Sequence, residues 1–308
     1  MRMIFMGTPD FAVPTLTRMA LDGYELVGVY TQADKPKGRG NQVQMSPVKQ
    51  EAIRLGIPVF QPSTLRSAEV QDELRALKPD VIVVVAYGKI LPDEVLNLPQ
   101  YGCINVHGSL LPKYRGAAPI QWSVLNGDDE AGVTVMQMDS GIDTGDMLLK
   151  RAVQIGENET SGELYDRLCM IGADACSEVI AQLGKGTLRP EKQPTEGSYA
   201  AKLTKEMAEI DWTHSASEIH NRIRGLSPWP TATTLLFGQR LKVHASRKTD
   251  GTTSAVPGEV LSQKPLTVAC GGGTVLELTE IQADGSRRMK AAEYICGHAI
   301  PAGTLLGK

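Results

Sequence analysis

Short apolar runs alternate with amphipathic stretches through the first half of the chain. The runs that predict strands lie at residues 3–6, 25–31, 59–60, 81–85 and 103–106. Residues 81–85 are all β-branched, which is typical of a strand buried on both faces of a parallel sheet. Patterns with helical spacing lie between the runs, at residues 47–55, 67–77 and 118–126. The alternation predicts βαβ units and an α/β, Rossmann-like fold with a doubly wound, mostly parallel sheet.

A long helix is expected after two further strands, at residues 133–138 and 147–153. Thr160 and Glu163 have the spacing of a capping box, in which a hydroxyl and a carboxylate satisfy free N–H groups at the start of a helix. Apolar residues then recur three and four positions apart, so one face of this helix is apolar, and it should end near Gly184. We therefore assign residues 1–184 to an N-terminal domain.

The last third of the chain has a different pattern. Residues 185–204 show no apolar period and are interpreted as a linker. In residues 205–308, Ser215 and Glu218 predict a second capping box, and Gly238-Gln239 is expected to form a two-residue hairpin turn. Several short strands follow. This pattern predicts a C-terminal β-barrel of the OB type.

Composition and charge narrow the class of protein. The 308 residues are 42% hydrophobic and 22% charged, which indicates a globular protein long enough for two domains. The longest apolar run, residues 81–86, is far shorter than the ~20 residues needed to cross a bilayer. The N-terminus has no signal-peptide pattern, and the five scattered cysteines include no CxxC pair or zinc spacing. We expect a cytoplasmic, monomeric protein without a metal, and a net charge of −3 argues against a generic nucleic-acid binder.

The sequence lacks the common nucleotide-binding motifs, but it has two polar residues near the carboxyl end of one predicted strand. There is no GxGxxG after the first strand and no phosphate-binding GxxxxGK[ST] sequence. Asn105 and His107 alternate along the strand at 103–106, so their side chains face the same side at its carboxyl end, where open α/β sheets bind ligands. Taken alone, the two residues fit a turn and a strand cap better than a site.

The loop at residues 140–146 changes that interpretation. It places Asp143 between two glycines, in a connection that can bring a carboxylate close to the imidazole of His107. A neighbouring carboxylate favours imidazolium and orients the ring. An amide, an imidazole and a carboxylate suit attack of an amine on a carbonyl carbon, and no serine or cysteine nucleophile stands in a catalytic motif. A turn-forming aspartate is the alternative for Asp143.

Two motifs together resemble the signature of the folate-dependent formyltransferases. They are residues 105–116 (NVHGSLLPKYRG) and residues 141–146 (GIDTGD). Members of this family take a formyl group from 10-formyltetrahydrofolate. The resemblance implies that Asn105 and His107 stabilise the oxyanion, and that Asp143 keeps His107 protonated and helps to move the proton of the amine.

Three other segments resemble the members that formylate the α-amino group of initiator methionyl-tRNA. They are residues 5–12 (FMGTPDFA), the basic insertion at 34–49, and residues 224–230 (RGLSPWP). The resemblance covers essentially the whole chain. It implies that residues 1–184 form the formyltransferase domain and that residues 205–308 bind tRNA. The alternatives are an amino-sugar N-formyltransferase with the same donor, and a non-catalytic folate- or RNA-binding module.

The resemblance also implies two sets of binding residues. The folate pocket is expected to be lined by Tyr87, Gly88, Lys89, Ile90, Leu91, Ser109, Leu110, Leu111 and Pro112. The tRNA is expected to contact Lys35, Lys37, Arg39, Arg247 and Lys248. From its own composition, the insertion at 34–49 is basic, and Pro36, Gly38 and Gly40 are expected to keep it free of helix and strand. The alternative interpretation of this insertion is a solvated loop that binds no ligand.

Overall fold

The structure, a computed structural model, describes residues 1–37 and 42–308. The chain forms two compact units. The first consists of Met1–Gly116, Gly132–Val153 and Tyr165–Tyr199, and the second of Ala117–Ala131, Gln154–Leu164 and Ala200–Lys308. Two short segments of the first 184 residues thus cluster with the C-terminal part. In the first of these segments, a helix near position 120 packs on a later helix.

The elements are numbered along the chain. The strands are β1 (Arg2–Gly7), β2 (Glu25–Tyr30), β3 (Lys35–Lys37), β4 (Gln42–Gln44), β5 (Val59–Phe60), β6 (Val81–Val85), β7 (Cys103–His107), β8 (Arg115–Gly116), β9 (Glu130–Gln137), β10 (Met147–Gln154), β11 (Tyr199–Ala200), β12 (Ala232–Leu236), β13 (Gln239–Thr252), β14 (Val260–Gln263), β15 (Leu266–Ala269), β16 (Thr274–Ala283) and β17 (Met289–Lys290). The α-helices are α1 (Val13–Leu21), α2 (Pro47–Arg54), α3 (Ala68–Ala76), α4 (Asp93–Leu96), α5 (Pro119–Leu125), α6 (Ser161–Gly184), α7 (Ala216–Gly225) and α8 (Ala291–Gly297).

A seven-stranded sheet is the centre of the first unit. Its order is β10-β9-β7-β6-β1-β2-β5, and β1, β2, β5, β6 and β7 pair in parallel. Strand β9 joins β7 in antiparallel orientation. Every residue of β6 is buried, as its continuous β-branched sequence predicted. The predicted α/β fold with a mostly parallel sheet is confirmed.

The expectation of no regular structure in the basic insertion is wrong. Strands β3 and β4 pair in antiparallel register, with Lys35 opposite Gln44 and Pro36 opposite Val43. Helix α2 begins at Pro47, as the helical pattern at residues 47–55 predicted. Proline is tolerated in such a two-stranded ribbon because each strand has an unpaired edge that needs no N–H donor. Residues 38–41 lie outside the described part of the chain.

Helix α6 begins at the predicted capping box. The Glu163 N–H donates to Thr160 Oγ1 over 3.2 Å, and the Thr160 N–H donates to Glu163 Oε2 over 2.9 Å. The Thr160 hydroxyl also donates to Glu163 Oε2, over 2.9 Å. The Thr160 N–H and hydroxyl together lower the pKa of the Glu163 carboxyl, the backbone bond more than the side-chain bond. The predicted end at Gly184 is also confirmed.

The second unit contains an antiparallel sheet. Its order is β12-β13-β16-β15-β14, with β17 paired to β16, and apolar side chains of α7 and α8 belong to its core. The capping box of Ser215 and Glu218 is present at the start of α7. The hairpin turn is one residue earlier than predicted, because Leu236 pairs with Gln239 and leaves Phe237-Gly238 as the turn. Both turn residues have positive φ, 51° and 73°, as a type I′ turn requires.

In residues 1–37 and 42–308, no helix is long and apolar enough to span a membrane. Within the same ranges, no group of three or more His, Cys, Asp or Glu side chains is placed to hold a metal ion.

Candidate active site

The carboxyl ends of three neighbouring strands create the site. Strands β1, β6 and β7 are adjacent and parallel, so the loops that follow them leave the same edge of the sheet. The chain order reverses at β1, with β2 on one side and β6 on the other, and ligands of open α/β sheets bind at such a switch point. The Thr8 hydroxyl joins two of the loops by donating to the Tyr87 carbonyl over 3.0 Å.

Asn105, His107 and Asp143 lie together at this edge. Asn105 and His107 are two residues apart near the end of β7, and Asp143 lies in the connection between β9 and β10. Asn105 Nδ2 is 3.4 Å from Asp143 Oδ1, and His107 Nδ1 is 3.6 Å from Asp143 Oδ2. The structure therefore brings the three predicted catalytic side chains into one cluster.

Hydrogen bonding assigns the two nitrogens of the His107 ring. Nε2 lies 2.8 Å from the Tyr114 carbonyl oxygen, and a carbonyl can only accept, so Nε2 carries a hydrogen. The neutral ring then has its lone pair on Nδ1, the nitrogen that faces Asp143. The side chain is only 6% exposed, so the ring is held in this orientation. Nδ1 is therefore the nitrogen that gains or loses a proton.

The loop that carries Asp143 is held in a left-handed turn. Asp143 has a φ of 54°, and its Oδ2 accepts the Gly116 N–H over 2.8 Å. A Cβ at Gly145 would lie 1.9 Å from the Gln137 carbonyl oxygen, so only glycine fits there. The second glycine of the predicted motif thus lets the chain return to β10 directly after the carboxylate.

The residues after β6 that are predicted to bind folate differ in their exposure to solvent. Tyr87 and Leu91 are buried, and burial raises the pKa of the Tyr87 hydroxyl to about 12. Gly88 has a φ of 78°, and Ile90 is 77% exposed. Lys89 Nζ donates to the Ser63 carbonyl over 2.9 Å, which ties this loop to the segment before α3. Backbone groups and Ile90 are therefore the parts of this loop that are available to a ligand.

The predicted folate residues that follow β7 are tied to the sheet through Thr134. The Thr134 hydroxyl donates to the Ser109 carbonyl over 2.7 Å and accepts the Leu111 N–H over 3.0 Å. Leu111 is buried against Met136 and Met147, so its side chain is part of a core cluster. Leu110 and Pro112 are half-buried. This loop has a fixed backbone, as a rigid wall of a pocket requires.

The predicted tRNA-binding residues lie in both units. Lys35 is exposed and donates to Gln32 Oε1 over 2.7 Å, whereas Arg39 and the side chain of Lys37 lie outside the described residues. Arg247 pairs with Glu277 at 2.9 Å, and Lys248 with Glu157 at 3.2 Å. The Arg247 and Lys248 side chains are exposed, although Glu277 is half-buried, so both basic groups remain accessible to phosphate. Because Arg247 and Lys248 are consecutive in β13, they face opposite sides of the sheet.

Several residues that contact the cluster could not be predicted from the sequence. The Tyr114 carbonyl, the Gly116 N–H and the Thr134 hydroxyl act through the backbone or on the backbone, which a motif of side chains does not reveal. Gln193 donates to the carbonyls of Asp143 and Gly145, although it lies in the predicted linker. No periodicity or motif around Gln193 signals this contact.

Comparisons with known proteins give a consistent match along the chain. Residues 1–180 match the family model described as formyl transferase, and residues 202–299 match the formyl transferase C-terminal domain. A methionyl-tRNA formyltransferase of Caldanaerobacter subterraneus subsp. tengcongensis is 50% identical over 308 residues, 99% of this chain and 100% of that protein. The methionyl-tRNA formyltransferase of Bacillus subtilis is 47% identical over 99% of this chain and 98% of its own length.

A solved structure shows the same fold at lower sequence identity. It is an N-formyltransferase from Helicobacter canadensis in complex with folinic acid and dTDP-3-aminofucose. The TM-score is 0.71 with 21% identity, over 91% of this chain and 98% of that chain. At this identity the likeness concerns the fold alone.

Proposed function

This chain belongs to the formyl transferase family, and we propose that it transfers the formyl group of 10-formyltetrahydrofolate to the α-amino group of initiator methionyl-tRNA. The observation that carries the proposal is the clustering of Asn105, His107 and Asp143 at the carboxyl edge of the sheet. Similarity to methionyl-tRNA formyltransferases over the full chain, at 47–50% identity, supports the acceptor.

The reaction needs one nucleophilic attack and one proton transfer. The amine nitrogen attacks the formyl carbon, and the electrons of the C=O bond move to oxygen to give a tetrahedral intermediate. When the carbonyl re-forms, the bond from carbon to N10 of the folate breaks. The amine loses one proton and N10 gains one, so the products are the formylated amine and tetrahydrofolate.

The geometry of the cluster suits these two requirements. The Asn105 amide has two hydrogens, so its long 3.4 Å contact with Asp143 leaves a second hydrogen that can stabilise the oxyanion. The Nδ1 edge of His107 faces Asp143, so a proton at this edge can move between imidazole and carboxylate, directly or through water. We assign oxyanion stabilisation to Asn105 and His107 and proton transfer to Asp143.

The binding surfaces follow from the same proposal. Residues 87–91 and 109–112 line the folate pocket, because their loops leave the edge of the sheet that carries the cluster. The basic residues Lys35, Lys37 and Arg39 contact the tRNA backbone, and residues 205–308 form a tRNA-binding domain linked to the formyltransferase domain of residues 1–184. The enzyme works in the cytoplasm as a monomer.

The test offers the purified protein two acceptors with the same donor. With 10-formyltetrahydrofolate present, we expect formylation of initiator methionyl-tRNA and none of a nucleotide-linked amino sugar, measured by acid gel electrophoresis and by mass spectrometry. Formylation of the amino sugar alone would overturn the acceptor assignment. Reduced folate that binds without either product forming would indicate a binding module.

A further inference from the structure

Residues 193–198 lie in the segment that the sequence predicts to be a linker, yet they make hydrogen bonds around the catalytic cluster. Gln193 contacts the loop that carries Asp143. Ser198 contacts Tyr114, whose carbonyl accepts the hydrogen bond from His107. This segment therefore touches the surroundings of both members of the His107–Asp143 pair.

The Gln193 amide has a single possible orientation. Its Nε2 donates to the Asp143 carbonyl over 2.9 Å and to the Gly145 carbonyl over 2.7 Å. Its Oε1 accepts from Arg115 Nε over 3.2 Å and from Nη2 over 3.0 Å. A guanidinium only donates and a carbonyl only accepts, so the oxygen and nitrogen of this amide cannot be exchanged.

Arg115 gives the amide a rigid support. Its side chain is buried, and it also donates to the carbonyls of Pro194, over 2.9 Å, and Thr195, over 3.4 Å. The guanidinium is planar, so these contacts fix its plane and with it the position of Gln193 Oε1. Gln193 in turn holds the carbonyls on either side of Thr144, where the loop turns back.

Ser198 fixes the other side of the cluster. Its Oγ accepts the Tyr114 N–H over 2.9 Å, and its carbonyl accepts the Arg115 N–H over 2.8 Å. Gly197 lies so close to this stretch that a Cβ there would be 2.6 Å from the Pro112 carbonyl oxygen. The segment is thus fitted against residues 112–115 without space for a larger residue.

We propose that Gln193, supported by Arg115, is a positioning residue that holds Asp143 against His107. It does not touch the reacting atoms, and it acts only through the loop of Asp143. Its effect on turnover rests on the proposed function, whereas its effect on the surroundings of His107 does not.

The test uses Gln193→Glu in the full-length protein. The glutamate keeps an oxygen for Arg115 but places a second oxygen against the carbonyls of Asp143 and Gly145, which repel it and displace the loop. Displacement of a catalytic group by ~1 Å can cost about 10²-fold in rate. We expect kcat to fall by roughly 10- to 100-fold, with the KM for the folate changed by less than about twofold. Lys192→Gln is the control, since it alters the net charge by the same amount at an exposed neighbouring position.

A double-mutant cycle separates positioning from a general loss of structure. If Gln193 acts through Asp143, Gln193→Glu has no further effect on kcat in an Asp143→Ala background. A multiplicative effect of the two substitutions would overturn the proposal. If Gln193→Glu does not fold, Gln193→Met takes its place, because it keeps the length of the side chain and removes the same hydrogen bonds to the loop.

A substrate-free measurement keeps this result apart from the test of the proposed function. The imidazole ¹⁵N resonances of His107, identified by their loss in His107→Gln, report on the partner at Nδ1. We expect Gln193→Glu to shift them in the same direction as Asp143→Asn, and Lys192→Gln to leave them in place. Unchanged resonances in Gln193→Glu would overturn the positioning role, whatever acceptor the enzyme uses.

Discussion

At the scale of the residue, the Tyr114 carbonyl decides which edge of the His107 ring is left to face Asp143. Because this carbonyl occupies Nε2–H, the exchangeable proton is confined to Nδ1, and Asp143 is the group that faces it. Tyr114 and Gly116 contribute main-chain groups and not reactive side chains. Their backbone groups orient the imidazole and the carboxylate, which is why the neighbouring residues of the motif matter for chemistry.

Asn105 is the residue whose removal tests oxyanion stabilisation most directly. We expect Asn105→Ala to lower kcat by about 10²–10³-fold, the usual effect of losing one oxyanion donor, while reduced folate still binds. Rapid-mixing kinetics and isothermal titration with a reduced folate would measure the two effects. Asn97→Ala is the matched control, because Asn97 is exposed and its amide donates to the nearby Asp93 carbonyl. A loss in kcat of less than about threefold would contradict the assignment.

The clustering of Asn105, His107 and Asp143 could be predicted because each residue lies in a short local motif. Asn105 and His107 alternate at the end of one strand, and the glycines around Asp143 indicate a loop that is able to reach them. Gln193 could not be predicted, since its contact with Asp143 joins residues 50 positions apart and leaves no pattern in the sequence. The contact becomes apparent only when the chain has folded.

At the scale of the element, the loop between β9 and β10 depends on one glycine. In Gly145→Ala the new methyl group would lie 1.9 Å from the Gln137 carbonyl oxygen, so the loop must move. We expect kcat to fall by up to about 10²-fold, since a shift of ~1 Å misplaces Asp143. Gly184→Ala is the control, because its Cβ would make only an ordinary contact of 3.6 Å at the end of α6. Equal rates for the two variants would show that the loop tolerates a side chain at position 145.

The contact between α1 and α2 predicts a pH dependence of stability. Glu51 accepts hydrogen bonds from Arg54, at 2.6 and 2.8 Å, and from Thr17 of α1 at 2.6 Å. The Arg54 guanidinium, with help from Thr17, lowers the pKa of the Glu51 carboxyl from 4.5 to about 2. Since the folded pKa is the lower one, this stabilisation is present above pH 4.5 and is lost as the pH falls towards 2.

Glu51→Gln tests this contribution. The variant is expected to unfold at a lower urea concentration than the wild-type protein at about pH 7, and the gap should shrink between about pH 5 and pH 3. Glu69→Gln, at an exposed position of α3, should show no such gap. A difference between wild type and Glu51→Gln that is constant over this pH range would exclude the ionised carboxylate as its cause.

Elements were predictable wherever local chemistry and tertiary packing agreed. Both capping boxes and the strands of the large sheet were predicted, because caps are local and the apolar period reflects the buried face. The pairing of β3 with β4 was missed because proline usually disfavours strands, whereas an isolated two-stranded ribbon tolerates it. The hairpin turn was predicted one residue too late, at Gly238-Gln239, because an aromatic residue such as Phe237 rarely adopts positive φ.

At the scale of the whole molecule, the two compact units are not two continuous halves of the chain, because each is built from three separate segments. The apolar cluster of Ala118, Leu203 and Leu226 belongs to the second unit and draws on three distant parts of the sequence. A boundary drawn from composition places a linker where the pattern becomes polar. Such a boundary cannot reveal that residues 117–131 and 154–164 belong to the second unit, because their place in it depends on contacts with residues far away in the sequence.

The basic insertion tests whether the acceptor is a polyanion. We expect Arg39→Ala and Lys35→Ala each to lower kcat/KM for methionyl-tRNA and to flatten the slope of log affinity against log salt by about one unit, because each would remove one of the proposed phosphate contacts. Folate affinity should remain unchanged for Arg39→Ala. The control is Lys185→Ala, an exposed lysine of the same charge just after α6.

These measurements also distinguish the two possible acceptors. A nucleotide-linked amino sugar carries few phosphates, so an enzyme built for it would show a shallow salt slope that neither substitution alters. A tRNA carries many phosphates, so an enzyme that binds it has a steep dependence of log affinity on log salt. The loss of one phosphate contact then lowers this slope by a constant amount. If Arg39→Ala retains both the wild-type slope and the wild-type rate with methionyl-tRNA, the insertion does not bind tRNA and the amino-sugar acceptor gains support.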